Sequence, residues 1–112
     1  MIKNITKNRV LTYKHQDCKH IWQKARGLMF RFKPIAMLFT FSREKLVSLH
    51  MFFVFFPIDV LYLDKTKQIV EIAENFKPWT TYTPKAKAKY IIELPAGTVK
   101  KTNTKLNDIC EF

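Results

Sequence analysis

Three side chains have types suited to acid–base chemistry. Asp59 follows Pro57 inside the apolar run 58–63, Glu93 lies between Ile92 and Leu94, and His50 stands just before six apolar residues, 51–56. A carboxylate in apolar surroundings must find hydrogen-bond donors or take a raised pKa, and an imidazole titrates near neutral pH. Asp59 and Glu93 acting with His50 would make a hydrolase-type site. The same residues also fit structural roles. Asp59 could be satisfied by backbone amides or by Arg26 or Arg31, Glu93 could pair with Arg31, and His50 could hydrogen-bond at a strand end. Trp79, flanked by Lys77, Pro78 and Tyr82, is either a ligand-facing ring or a plug over one end of the fold.

Other constellations are less complete. His15, Asp17, Cys18 and His20 are all metal-ligand types, but no second ligand pair follows at finger-like spacing, so no metal site is assigned. There is no Ser-His-Asp order, phosphate-cradling glycine loop or dinucleotide fingerprint, and the chain has only two glycines, so no catalytic set and no cofactor is assigned. The net charge is +11, and sixteen of the twenty cationic residues are lysines. Lysine is a solvated point charge, so the excess suits weak polyanion binding through Lys85, Lys87, Lys89, Lys100 and Lys101 better than specific readout. The aromatics sit in apolar runs, which argues against single-strand nucleic-acid binding by stacked rings.

The elements that must position these residues follow from pattern. A chain of 112 residues, 47% hydrophobic and 26% charged, is expected to form one globular domain. Residues 1–10 show no apolar segment of a signal peptide. Residues 46–63 are the sole candidate for a membrane span, but they carry Ser48, His50, Pro57 and Asp59, so no span is expected. A soluble cytoplasmic protein with free Cys18 and Cys110 is the expectation, with the apolar middle of the chain folded into its core. Alternation predicts strands over 9–15, 35–41, 58–64, 68–76 and 86–94, a further one starting at 46 and a short one over 108–112. Residues 64–68 join a hairpin. Residues 18–26 read as a short helix capped by Asp17 and closed by Gly27. Residues 77–84 read as a loop, and 95–105 as a turn with a second short helix. Lys85, Lys87 and Lys89 would share one face of an extended segment, as in a guarded edge strand. The expected fold class is mostly β (β-rich α+β), a small curled sheet or partly open barrel with two short helices.

The blocks ARGLMFR (25–31), AMLFTF (36–41), HMFFVFFPIDVLYLD (50–64), YIIELPAG (90–97) and LND (106–108), in this order, resemble the DUF192 (UPF0127) family over about residues 10–111. Both glycines, Gly27 and Gly97, fall inside these blocks, in keeping with a backbone role for each. The resemblance implies a small, mostly β domain without an established activity. Many members carry a Trp-Met-Lys-Asn-Thr-like segment where this chain has His50-Met51-Phe52-Phe53-Val54, so the polar Lys and Asn of that segment are absent. Asn107 stands where a glycine is usual before Asp108, a mild change because Asn tolerates the left-handed region. The combined reading is a non-enzymatic module that binds a small-molecule ligand or a partner. Its site would lie near Arg31, His50, Asp59, Trp79 and Glu93. The alternatives are the hydrolase-type enzyme and the weak polyanion binder.

Overall fold

The structure is a computed structural model and describes residues 1–18 and 33–112. The strands are β1 (Ile2–Asn4), β2 (Arg9–Thr12), β3 (Gln16–Cys18), β4 (Met37–Lys45), β5 (Leu49–His50), β6 (Ile58–Leu63), β7 (Ile69–Phe76), β8 (Thr81–Tyr82), β9 (Ala88–Pro95) and β10 (Cys110–Glu111). One helix, α1 (Thr98–Thr102), occurs among the described residues.

A five-stranded sheet in the order β3-β4-β9-β6-β7 organises the molecule. β3 runs parallel to β4, and every other pairing in it is antiparallel. β6 is buried at all six positions, as a strand covered on both faces must be. On one face Leu38, Leu61, Leu63, Ile69, Ile92 and Leu94 pack against Ile2, Leu11, Cys110 and Val99, from the small sheet β10-β1-β2 and from α1. On the other face Met37, Phe39, Val60, Tyr62, Ala73 and Ile91 pack against Met51 and Val54. Those two belong to a flap of two segments, 46–57 and 77–87, that cross this face and pair as β5 with β8.

The expected mostly-β class is what the chain adopts, but the sheets do not close into a barrel. The order is linear, and edge strands β3 and β7 do not pair with each other. The 64–68 hairpin forms as expected. The Asp64 carboxylate accepts the Thr66 and Gln68 amides (2.9 and 3.1 Å), and Lys67 takes the left-handed conformation (φ 66°). Burial works to raise the Asp64 pKa, but the Thr66 hydroxyl, which also donates to that carboxylate, and then the two amides hold it below the ordinary carboxylate range. The strand expected over 35–41 begins at Met37 and runs on to Lys45, so residues 42–45 form the second half of β4. β1, in a stretch given no element from sequence, pairs with both β2 and β10.

Three further expectations are corrected or fall outside the described residues. Asp17 is not a helix cap. It lies in β3, where its carboxylate pairs with His15 (3.1 Å), and Cys18 ends the same strand. The rest of the proposed 18–26 helix and Gly27 lie outside the described residues. The lysine-flanked segment is not an edge. β9 runs between β4 and β6, and Lys85 and Lys87 precede it. Finally, the apolar block 51–56 is only partly core: Met51 and Val54 are buried, while Phe52, Phe53 and Phe55 are exposed.

Candidate functional site

Neighbouring residues of a strand point to opposite faces of its sheet. Asp59 pairs with Leu94, and Val60 pairs with Glu93. The two carboxylates proposed as an acid pair therefore lie on opposite sides of the five-stranded sheet.

Asp59 is wholly buried on the side of α1. Its Oδ1 accepts the Asn75 amide (2.9 Å), and its Oδ2 accepts the amides of Gly97 (3.0 Å) and Val99 (2.9 Å). Gly97 precedes α1 with φ 95°, a conformation that L side chains rarely adopt, and nothing crowds the position its Cβ would take. Glycine is required there by the backbone and not by space. The PIDVLYLD and ELPAG blocks are thus joined by one carboxylate that holds the start of α1 and the end of β7.

Glu93 lies on the flap side, 7% exposed. Among the described residues no hydrogen bond reaches its carboxyl group, and burial pushes its pKa up to about 7. Tyr62 is a diagonal neighbour on the same face, since it pairs with Ile91 two residues before Glu93. Such neighbours sit about 7 Å apart. The Tyr62 hydroxyl is buried without a hydrogen-bond partner among the described residues. Its pKa is raised by burial first, then by Tyr82, Glu71 and Glu93.

The flap supplies the other half of this polar patch. The Tyr82 ring lies 5.9 Å from that of Tyr62, and its hydroxyl donates to Glu71 Oε2. Glu71 Oε1 accepts the amides of Lys85 (2.8 Å) and Ala86 (2.9 Å). Burial works to raise the Glu71 pKa, but the hydrogen bonds from Tyr82, Ala86 and Lys85 bring it down overall. The Tyr82 hydroxyl is pushed up to about 12 by burial and by its bond to that carboxylate. Glu71 pins the flap, while Glu93 and the Tyr62 hydroxyl beneath it meet no hydrogen-bond partner among the described residues.

His50 and Trp79 both lie on the flap, in separate ring contacts. Met51 is the node: its amide donates to the Thr80 carbonyl (2.8 Å), and its carbonyl accepts the Trp79 amide (2.8 Å). The His50 ring stacks on Phe52 with centroids 5.1 Å apart, and its Nδ1 accepts the Phe52 amide (3.3 Å). Trp79 meets Phe53 edge-to-face at 5.1 Å. Of the five site residues proposed from sequence, Glu93 lies in the buried patch, His50 and Trp79 on the flap, Asp59 behind the sheet, and Arg31 outside the described residues. Sequence reasoning missed Tyr62, Glu71 and Tyr82. The hairpin alone would set Val70 opposite Tyr62. A register shift between Tyr62 and Leu63 brings Glu71 there instead.

This framework of hairpin, Gly97 turn and clasped termini has relatives. A family model, DUF192 (uncharacterized ACR, COG1430), matches residues 3–112. The chain belongs to the DUF192 family. Among its relatives is a UPF0127 protein of Pyrococcus horikoshii, 34% identical over 96% of this chain and 95% of its own length. Another, from Thermococcus sibiricus, is 35% identical over 96% of this chain and 71% of its own length. Two solved structures share the fold. A Sinorhizobium meliloti protein described as a "putative transcription regulator" has a TM-score of 0.82 and 28% identity, covering 87% of this chain and 79% of its own. A Novosphingobium aromaticivorans protein of unknown function has a TM-score of 0.83 and 20% identity, covering 89% and 75%. In this DUF192 chain Asn107 adopts φ 73°, the left-handed conformation expected of a residue standing in for glycine.

Proposed function

We propose that this DUF192 protein is a small-ligand-binding module whose ligand sits between the flap and the β6–β9 face and contacts Glu93 and Tyr62. One observation carries the reading: the Tyr62 hydroxyl is buried without a hydrogen-bond partner among the described residues, beside the buried Glu93 carboxyl. Leaving such groups bare costs free energy, and a bound molecule would recover it. The ligand would offer an acceptor to the Tyr62 hydroxyl and a donor, such as an amine or hydroxyl, to Glu93. The flap, pinned through Tyr82 and Glu71, would close over it. Cys18 and Cys110 are both buried and form no disulfide with each other, which suits a reducing compartment such as the cytoplasm. No described helix is long and apolar enough to cross a membrane.

The hydrolase reading is less well supported, because the sheet separates Asp59 from Glu93 and His50 is exposed on β5. Polyanion binding draws support from the +11 charge and from the description of the Sinorhizobium relative. However, Lys89 near the start of β9 and Lys100 beyond its end are separated by most of a strand, about 20 Å or more. A thermal-shift screen with small amines, amino acids and nucleosides tests the binding reading. A hit should raise the melting temperature of the wild type, and Glu93→Gln and Tyr62→Phe should each abolish the shift while remaining folded. Hits unaffected by both substitutions would reject the site.

A further inference from the structure

β7 and the α1 segment are tied together at two places and part between them. At one end the Asp59 carboxylate accepts the amides of Asn75, Gly97 and Val99. At the other the Ile69 amide donates to the Asp108 carbonyl (2.8 Å), and the Ile69 carbonyl accepts the Asn107 amide (2.9 Å). Between the ties lies a cavity of about 770 Å³. That volume is ordinary for a ligand site. Hydrogen bonds at both ends hold its walls apart, so the fold itself forms it. It belongs to the α1 side of the five-stranded sheet, the face opposite Glu93 and the flap.

The lining narrows what the cavity can hold. Half-buried Ile72, buried Val99 and exposed Leu106 give it apolar surface, and Glu74, Lys100 and Lys105 give it charge. Glu74 stands beside Asn75 at the Asp59 tie, and Lys105 stands near Asn107 at the other. All three charged residues are exposed, and none forms an ion pair among the described residues. Unpaired charges of both signs around one cavity complement a ligand that carries both an ammonium and a carboxylate. A polyanion would meet Glu74, and two lysines against one carboxylate disfavour a ligand with an ammonium alone. β7 is also the outer strand of its sheet, and outer strands carry backbone N–H and C=O groups that no neighbour uses. Its register against β6 shifts on either side of Glu71–Ala73, so a partner could pair along only a short stretch. We infer that this cavity binds a short apolar peptide with free termini. The peptide ammonium meets Glu74, its carboxylate meets Lys105, and its side chains rest on Ile72, Val99 and Leu106. The site is independent of the ligand beneath the flap.

Titration calorimetry with the tripeptide Leu-Ala-Leu tests it. The wild type should bind the free tripeptide at millimolar concentration. Acetylating its ammonium or amidating its carboxylate should each weaken binding about three- to fivefold, the worth of an exposed ion pair. Glu74→Gln should weaken binding of the free tripeptide by a similar factor and leave that of the acetylated form unchanged. Lys105→Gln should do the same for the free and amidated forms. Both side chains are exposed, so both variants should keep the wild-type melting temperature. Glu93→Gln, across the sheet, should leave tripeptide binding unchanged, which separates this cavity from the site beneath the flap. The inference is overturned if the free tripeptide does not bind, or if the blocked forms bind as tightly as the free one. It is also overturned if both cavity variants bind like the wild type, or if leucine alone binds as tightly as the tripeptide.

Discussion

Asp59 and Glu93 are buried carboxylates on adjacent strands, one register step apart, and they lead opposite lives. Asp59 faces α1 and accepts three backbone amides. Glu93 faces the flap and accepts none from the described residues, and its affinity for a proton rises accordingly. The tyrosines of the flap side repeat the contrast, since Tyr82 donates to Glu71 while the Tyr62 hydroxyl meets no hydrogen-bond partner among the described residues. Burial alone does not mark a functional group. What matters is whether the fold has already used the group's hydrogen-bonding capacity.

The largest effect should come from Asp59→Ala. It strips three amides of their acceptor, and with each bare buried group costing roughly 1–3 kcal/mol, a loss of at least about 3 kcal/mol is expected in urea unfolding. A loss below about 1 kcal/mol would dissolve the contrast.

Glu93→Gln should act in the opposite direction. The carboxyl titrates near 4.5 when unfolded and is raised to about 7 in the fold, so between those values the folded state binds more protons. Stability should therefore fall as pH rises from about 4.5 to about 7 and then level off. The substitution should flatten that slope and stabilise the protein at pH 8 by about 2–3 kcal/mol, measured as unfolding midpoints across pH.

Tyr82→Phe should cost about 1 kcal/mol, because Glu71 loses one donor but keeps two amides. Tyr62→Phe should be the mildest: removing a hydroxyl with no partner should leave the thermal midpoint unchanged or slightly raised, within about 1 kcal/mol. If Tyr62→Phe destabilised more than Tyr82→Phe, the assignment of the free hydroxyl would be wrong.

Much of the architecture was legible in the chain. The 58–64 and 68–76 alternation with its Asp64 turn gave the β6–β7 hairpin, and Gly97 marked a positive-φ turn. Backbone amides were among the partners considered for Asp59, and they are the ones it meets. Other features were misread for identifiable reasons. Lysines 85 to 89 suggested an edge, but strand order depends on pairings between residues far apart in the chain, and β9 is central. The run 51–56 looked like core because apolar residues usually are. Its turn at Met51 buries two side chains and leaves three phenylalanines outside.

Sequence alone settled what depends on neighbours along the chain: the hairpin turn, the glycine and asparagine in left-handed conformations, and the β-rich class. Tertiary structure alone decided which carboxylate met donors among the described residues and which did not. A strand's alternation separates adjacent side chains onto two faces, but it does not say what covers each face. Here α1 covers one side with its free amides, and the flap covers the other with aromatic rings, where no described residue donates to Glu93.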